Sequence, residues 1–345
     1  MNLLIDLQHP AHLHFFRHLI IKLKKEGHSV LVTGRDKDIL IELSQKLSID
    51  VEFFGRAEKG FYNLAKELLY RDCKLFKIIK KFKPDAMMAI AGTFISPLGK
   101  LLGIPTYVFY DTEHATLSNL IAYPFATCIY VPQCYNKQIR WNHVRYNGYH
   151  ELAYLHPHYF KADDSILKEV GVEKGELFSI VRFVSWGAAH DIGLKGLNFE
   201  SKLMIVNKLR EYGKVFISSE GDLPDELKKY EFKLSVEKIH DLMNFASLVF
   251  GESATMASEA SMMGVPSIYL DEIGRGYTNE QEKDYGIVFN YNPDQVEKAK
   301  DKAISILSKY DRNYWKNIGE KIISEKIDVT EMLYKIAIEK PFSKS

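Results

Sequence analysis

The stretch Ser247 to Asp271, SLVFGESATMASEASMMGVPSIYLD, narrows the possible folds of this chain more than any other. SLVF is a short apolar run of the kind that forms a buried parallel strand. It passes through a small-residue elbow, Gly251-Glu252-Ser253-Ala254-Thr255, into a helix of Ala, Met, Ser and Glu. Gly264-Val265-Pro266 stops that helix, and SIYL begins another strand. A strand, a small turn and a helix N-terminus make an anion site, because backbone N–H groups and the helix dipole point at the turn. The expectation is that Gly251, Ser253, Ala254 and Thr255 hold a diphosphate. Glu259, one helical turn on, then reaches a ribose diol. The plainer reading is a Ser-capped helix with Glu259 in solvent. No Walker lysine and no GxGxxG accompany the elbow, which argues against an NTPase or a dinucleotide site.

The same alternation runs along the whole chain. NLLIDL, HSVLVT, VEFF, DAMMAI, IPTYVFY and TCIYVP read as strands with helical segments between them. Between Tyr146 and Lys174 the character changes, with Gly148, His156-Pro157 and the cap-like Asp163-Asp164-Ser165, and a linker is expected there. LFSIVRFV, KVFISS, SLVF and SIYL then restart the pattern. The fold class this implies is α/β: two doubly wound, Rossmann-like parallel-sheet domains, 1–160 and 161–345, facing a cleft, with the last helix packing back on the first domain. The length fits, since single cores rarely grow past about 250 residues.

Bulk properties exclude several classes. Lys and Arg total 46 against 45 for Asp and Glu, a net charge of +1, so wholesale nucleic-acid binding is not indicated. Three cysteines without CxxC argue for reduced thiols in a cytoplasmic protein and against a disulfide frame or thiolate zinc site. MNLLIDL has no basic lead-in and reads as a strand, not a signal peptide. No window is apolar for long enough to span a bilayer.

In doubly wound sheets the ligand lies beyond the carboxyl ends of the strands. After the first strand come His9, His12 and His14, a residue type whose pKa suits general-base work. Helix capping is the competing role for these histidines. Arg56 and Thr93 follow the third and fourth strands and are assigned to the acceptor side of the cleft. Asp111 and Glu113 follow the fifth, as bases or sugar ligands, with Asp111 equally able to cap a helix and His114 able to orient Glu113. In the second half, Arg182 and the loop Ser185 to Asp191, with Trp186 and His190, are expected at the donor phosphates; a structural salt bridge is the alternative for Arg182. Arg275 and Thr278 are weaker candidates for the same pocket. The helix Gly60 to Lys83 carries Lys66, Arg71, Lys74, Lys77, Lys80 and Lys81 among apolar residues. Its basic face is either simply solvated or rests on an anionic membrane.

The strand, Ser-containing turn, Glu-bearing helix and G-V-P of Ser247 to Asp271 resemble the donor segment of GT-B-type sugar-nucleotide enzymes. Those include UDP-N-acetylglucosamine 2-epimerases and the N-acetylglucosaminyl transferase that completes lipid II. DLQHPAHLHFFRHLIIKLKKEGHSVLVTGRD and YDTEHATLSN resemble a bacterial and archaeal family, a domain of unknown function, assigned to the same fold. The resemblance implies a GT-B-like glycosyltransferase moving a sugar from a nucleotide diphosphate donor, with UDP the expected nucleotide. The acceptor would be a glycan or lipid-linked molecule of surface polysaccharide synthesis. It implies His12 as the base, facing the acceptor, with Asp111 or Glu113 in reserve. Helix N–H groups and basic side chains would hold the phosphates, so no metal and no cofactor is expected. The alternatives are a non-hydrolysing 2-epimerase and a non-catalytic nucleotide-sugar-binding protein.

Overall fold

The computed structural model describes residues 1–36, 39–56, 61–114, 116–184 and 196–341, with residues 56 and 61–69 described by their backbone alone. The chain divides into two compact units, Met1–Tyr154 with Ile327–Ser345, and Leu155–Lys326. The division falls at 154/155, six residues before the boundary read from the sequence. The terminal helix Val329–Glu339 lies on the first helix of the chain, α1 (Pro10–Lys25). There Lys22 Nζ is 2.6 Å from Glu331 Oε1. Thr330 Oγ1 donates to the Ala153 carbonyl at 2.7 Å.

The first unit contains β1 (Asn2–Leu7), β2 (Ser29–Asp36), β3 (Glu52–Arg56), β4 (Ala86–Ile90), β5 (Thr106–Phe109), β6 (Cys128–Pro132) and β7 (His143–Tyr146). They form a seven-stranded sheet in the order β3-β2-β1-β4-β5-β6-β7. Each of its ladders is parallel. The chain builds outward from β1 to β3, then returns to the other side of β1 with β4. Carboxyl-end crevices form at such a reversal. Pro10 starts α1 with its φ already helical and no amide proton to lose. Leu13, Phe16, Ile20 and Leu23 recur at helical spacing and are buried.

One ion pair lies wholly inside this unit. Asp6, at the end of β1, accepts from Thr33 Oγ1 at 2.8 Å and from Arg71 Nη2 at 3.2 Å. Neither charged side chain has any exposure. Arg71 belongs to α3 (Phe61–Phe82) and also donates to the Phe54 carbonyl at 2.8 Å, so it ties α3 to β1 and β3. Arg71 therefore leaves the basic face to which sequence spacing assigned it. Lys74, Lys77, Lys80 and Lys81 remain exposed. Burial pushes the Asp6 carboxyl pKa up, opposed by Arg71, Thr33 and Gln8.

The second unit contains β8 (Phe178–Phe183), β9 (Lys214–Ser219), β10 (Leu248–Gly251), β11 (Ser267–Leu270) and β12 (Val288–Tyr291). The order is β12-β11-β10-β8-β9, again parallel throughout. Here the reversal falls between β8 and β10.

Two stability predictions follow from these buried groups. Arg71→Met strands the Asp6 carboxylate and should cost about 3–5 kcal/mol at neutral pH in urea unfolding. The loss should be smaller at acid pH, where Asp6 takes a proton. His18 accepts from Arg17 Nε at 3.0 Å, and burial with the Arg17 charge pushes its pKa down to about 4. The unfolded chain then binds this proton between about pH 6.5 and 4 while the folded one does not, so stability falls as pH drops through that window. His18→Gln should flatten that fall in thermal melts.

Candidate functional site

The elbow sits at the reversal point of the second sheet. Asn290, Tyr269, Gly251, Arg182 and Ser218 stand in one row across the carboxyl ends of its strands. A Cβ on Gly251 would lie 2.1 Å from the Arg182 carbonyl oxygen, so only glycine lets the two strands meet at this spacing. The Glu252 amide donates to that carbonyl at 3.1 Å. The helix Ala254–Met262 starts directly above. Ser253 is its N-cap and accepts from the Met256 amide at 3.3 Å. The amides of Ala254 and Thr255 lie in the first turn, where a helix offers no acceptor of its own. Thr255 is half-buried and Ala254 buried.

Around this turn the charged groups are engaged with one another. Glu259 is buried, with Oε1 2.9 Å from His240 Nε2. It is not the solvated side chain of the plainer sequence reading. Glu252 is also buried, and its two oxygens accept from the Val184 amide at 3.2 Å and the Leu197 amide at 2.7 Å. It thereby holds the chain on both sides of residues 185–195. Arg182 donates to Ser218 Oγ at 2.6 Å and Glu220 Oε1 at 2.5 Å. Its guanidinium is thus held by partners within the unit. Asp271, after β11, accepts from Tyr269 Oη at 2.7 Å and Arg275 Nη1 at 2.8 Å. Thr278 Oγ1 donates to the Arg275 carbonyl at 3.1 Å. His190 and Trp186 lie outside the described residues. Gly264, at φ 65°, needs to be glycine because a Cβ would stand 2.7 Å from Lys316 Cα of the helix Arg312–Glu325.

In the first unit, the turns after β1 and β4 flank the reversal. His9 is exposed and caps α1, accepting from the Ala11 amide at 3.2 Å. His12 is half-buried, and its Nδ1 accepts from the Gln8 amide at 3.3 Å. That bond leaves the proton of the neutral ring on Nε2, a donor rather than a base. His14 is buried, its ring 5.2 Å from Tyr154. Thr93 is half-buried beyond Ala91 and Gly92, which both have positive φ, 65° and 70°. A Cβ on Gly92 would meet Val108 Cγ2 at 2.4 Å. The side chain of Arg56 lies outside the described residues.

Asp111 follows β5 and is half-buried. It does not cap α5 (Thr116–Ala122), which begins further along. Its Oδ2 lies 3.2 Å from His150 Nδ1, and its Oδ1 accepts from Thr112 Oγ1 at 3.0 Å. The carboxylate fixes the His150 proton on Nδ1, which leaves Nε2 as the lone-pair nitrogen. That Nε2 is buried with no hydrogen-bond partner among the described residues, and the ring lies 4.5 Å from Phe15. Glu113 turns inward, buried, and accepts from the Asn136 amide at 3.2 Å. Sequence reading missed His150 because β7, which delivers it, is short, polar and half-exposed.

A family described as a protein of unknown function (DUF354) matches residues 1–273. The chain belongs to this DUF354 family. An uncharacterised protein of Methanocaldococcus jannaschii, MJ0665, is 29% identical over 184 residues. The match spans half of this chain and 53% of that protein. Among solved structures, the UDP-GlcNAc 2-epimerase of Neisseria meningitidis bound to UDP-GlcNAc superposes with a TM-score of 0.68 at 10% identity, over 98% of this chain and all of that one. The spinosyn rhamnosyltransferase SpnG with spinosyn aglycone gives 0.62 at 13%, over 96% and 98%. The UDP-GlcNAc 2-epimerase of Methanocaldococcus jannaschii gives 0.61 at 13%, over 94% and 99%. The fold of this DUF354 chain is therefore GT-B-like, the class of its epimerase and glycosyltransferase neighbours.

Gly251→Ala should lower stability by about 2 kcal/mol or more, because the β8–β10 spacing must open to admit the methyl group. A chemical-denaturation midpoint checks it.

Proposed function

We propose that this DUF354 protein is a glycosyltransferase using a nucleotide diphosphate sugar, with UDP as the nucleotide. The observation that carries the reading is the placement of the elbow at the β8–β10 reversal, with a capped helix starting above a glycine-only contact. That is where doubly wound sheets bind ligands and where helix amides meet anions. The diphosphate is assigned to the amides of Ala254 and Thr255 and to the Thr255 hydroxyl. Glu259, oriented by His240, takes the ribose hydroxyls. These contacts need no divalent metal and no cofactor. His190, outside the described residues, keeps its assignment to the donor phosphates. The acceptor, a glycan or lipid-linked molecule of surface polysaccharide synthesis, is assigned to the first unit, at the turns after β1, β4 and β5. For the base we favour Asp111 over His12. Asp111 is half-buried rather than enclosed and is positioned by His150, whereas His12 presents a protonated nitrogen.

Thr255→Asp separates binding from folding. An acid in the first turn suits the helix dipole, so stability should hold or rise slightly. The same charge should weaken UDP binding by at least about tenfold in a calorimetric titration. Equal affinity in both proteins contradicts the assignment. With a panel of UDP-sugars, UDP release should require an acceptor; epimerisation with none present would point away from transfer. Asp111→Asn should lower transfer by about a hundredfold and leave UDP affinity within about twofold.

A further inference from the structure

Leu101, Leu117 and Leu120 are the most exposed large apolar side chains among the described residues, at 72%, 68% and 63%. Scattered exposed leucines are ordinary, but these belong to two helices that pack on each other, α4 (Ile95–Leu102) and α5. Leu117 and Leu120 are three apart and share the outer side of α5. Phe125 continues beyond the end of α5 and is exposed. Trp141 is also at the surface, its ring 5.9 Å from Tyr123, which follows α5.

The exposed charges of the chain segment that carries this face have one sign. Between residues 94 and 145 the exposed charged side chains are Lys100, Lys137, Arg140 and Arg145. The two acids of that span, Asp111 and Glu113, are half-buried and buried respectively. A second copy of the chain would bring like charges together on this face. An anionic lipid surface instead matches both features, since leucines enter the apolar boundary, tryptophan favours the interface and each Lys or Arg is drawn to acidic headgroups. Among the described side chains of α3, the helix singled out by its basic sequence, Leu75 and Ile79 face the core.

We propose that the α4–α5 face, with Trp141 at its margin, docks on an anionic lipid bilayer. The inference is independent of the glycosyltransferase reading.

The test is co-sedimentation of the full chain with extruded phosphatidylcholine vesicles, with and without about 30% phosphatidylglycerol. Binding is expected with the anionic vesicles and should weaken severalfold as salt is raised. The double variant Leu117→Glu, Leu120→Glu changes only exposed positions, and its binding should fall by at least about tenfold. As a second measurement, brominated lipid should quench tryptophan fluorescence in the wild-type chain, and Trp141→Phe should lose most of that quenching. No binding to anionic vesicles, binding unchanged in the double variant, or no quenching overturns the proposal. So does a dimer in sedimentation velocity that the double variant dissociates, which would assign the face to a second copy.

Discussion

The second unit depends on one contact without a side chain, the approach of Gly251 to the Arg182 carbonyl. A hydrogen in place of Cβ lets β10 lie against β8 up to its last residue. The Glu252 amide then closes a hydrogen bond to that carbonyl, and the chain must turn upward into the helix Ala254–Met262. The turn falls where the strand order reverses, so helix amides are delivered to the carboxyl end of the sheet at its switch point. Ser253 takes one amide for the cap, and two remain in the first turn. Glu252 extends the effect by holding the amides of Val184 and Leu197. One glycine thus organises the strand end, the helix start and the flanks of the neighbouring segment.

Buried charge is the second theme, and it works for placement rather than stability. Asp6 and Arg71 are both fully enclosed, and burial raises the Asp6 pKa despite its partner. Such pairs seldom gain net free energy over apolar replacements, but losing one member is costly. The pair fixes α3 against β1 and β3, two residues before the turn that carries His9 begins at Gln8. The Glu259–His240 pair has the same character in the second unit, an enclosed carboxylate with one oxygen committed to an imidazole. Asp111–His150 differs in being half-open on the carboxylate side. That difference is the ground for proposing Asp111 as the base.

Much of the fold was legible because parallel strands buried on both faces read as short apolar runs. NLLIDL, DAMMAI, SIYL and the Gly264-Val265-Pro266 stop all correspond to elements of the structure. HVRY and VFNY escaped notice because edge strands keep polar side chains and carry no clean periodicity. The elbow and the turns after β1, β4 and β5 were found by position, since they had to follow strands. What spacing could not show was partnership. Arg71 has the pattern of a solvated basic face and lies in the core. His150 has no motif around it, and only the fold brings it to Asp111 across the one intervening strand, β6. Glu113 and His14 face inward for reasons of packing that no local pattern records.

The claim on which the account rests is that residues 251–257 form a nucleotide diphosphate site. Hydrogen–deuterium exchange of the full chain with and without UDP addresses it directly. Slowed exchange of the amides at Ala254 and Thr255, centred on the start of that helix, is the expected result. Protection confined to other segments, or none at saturating UDP, would contradict it.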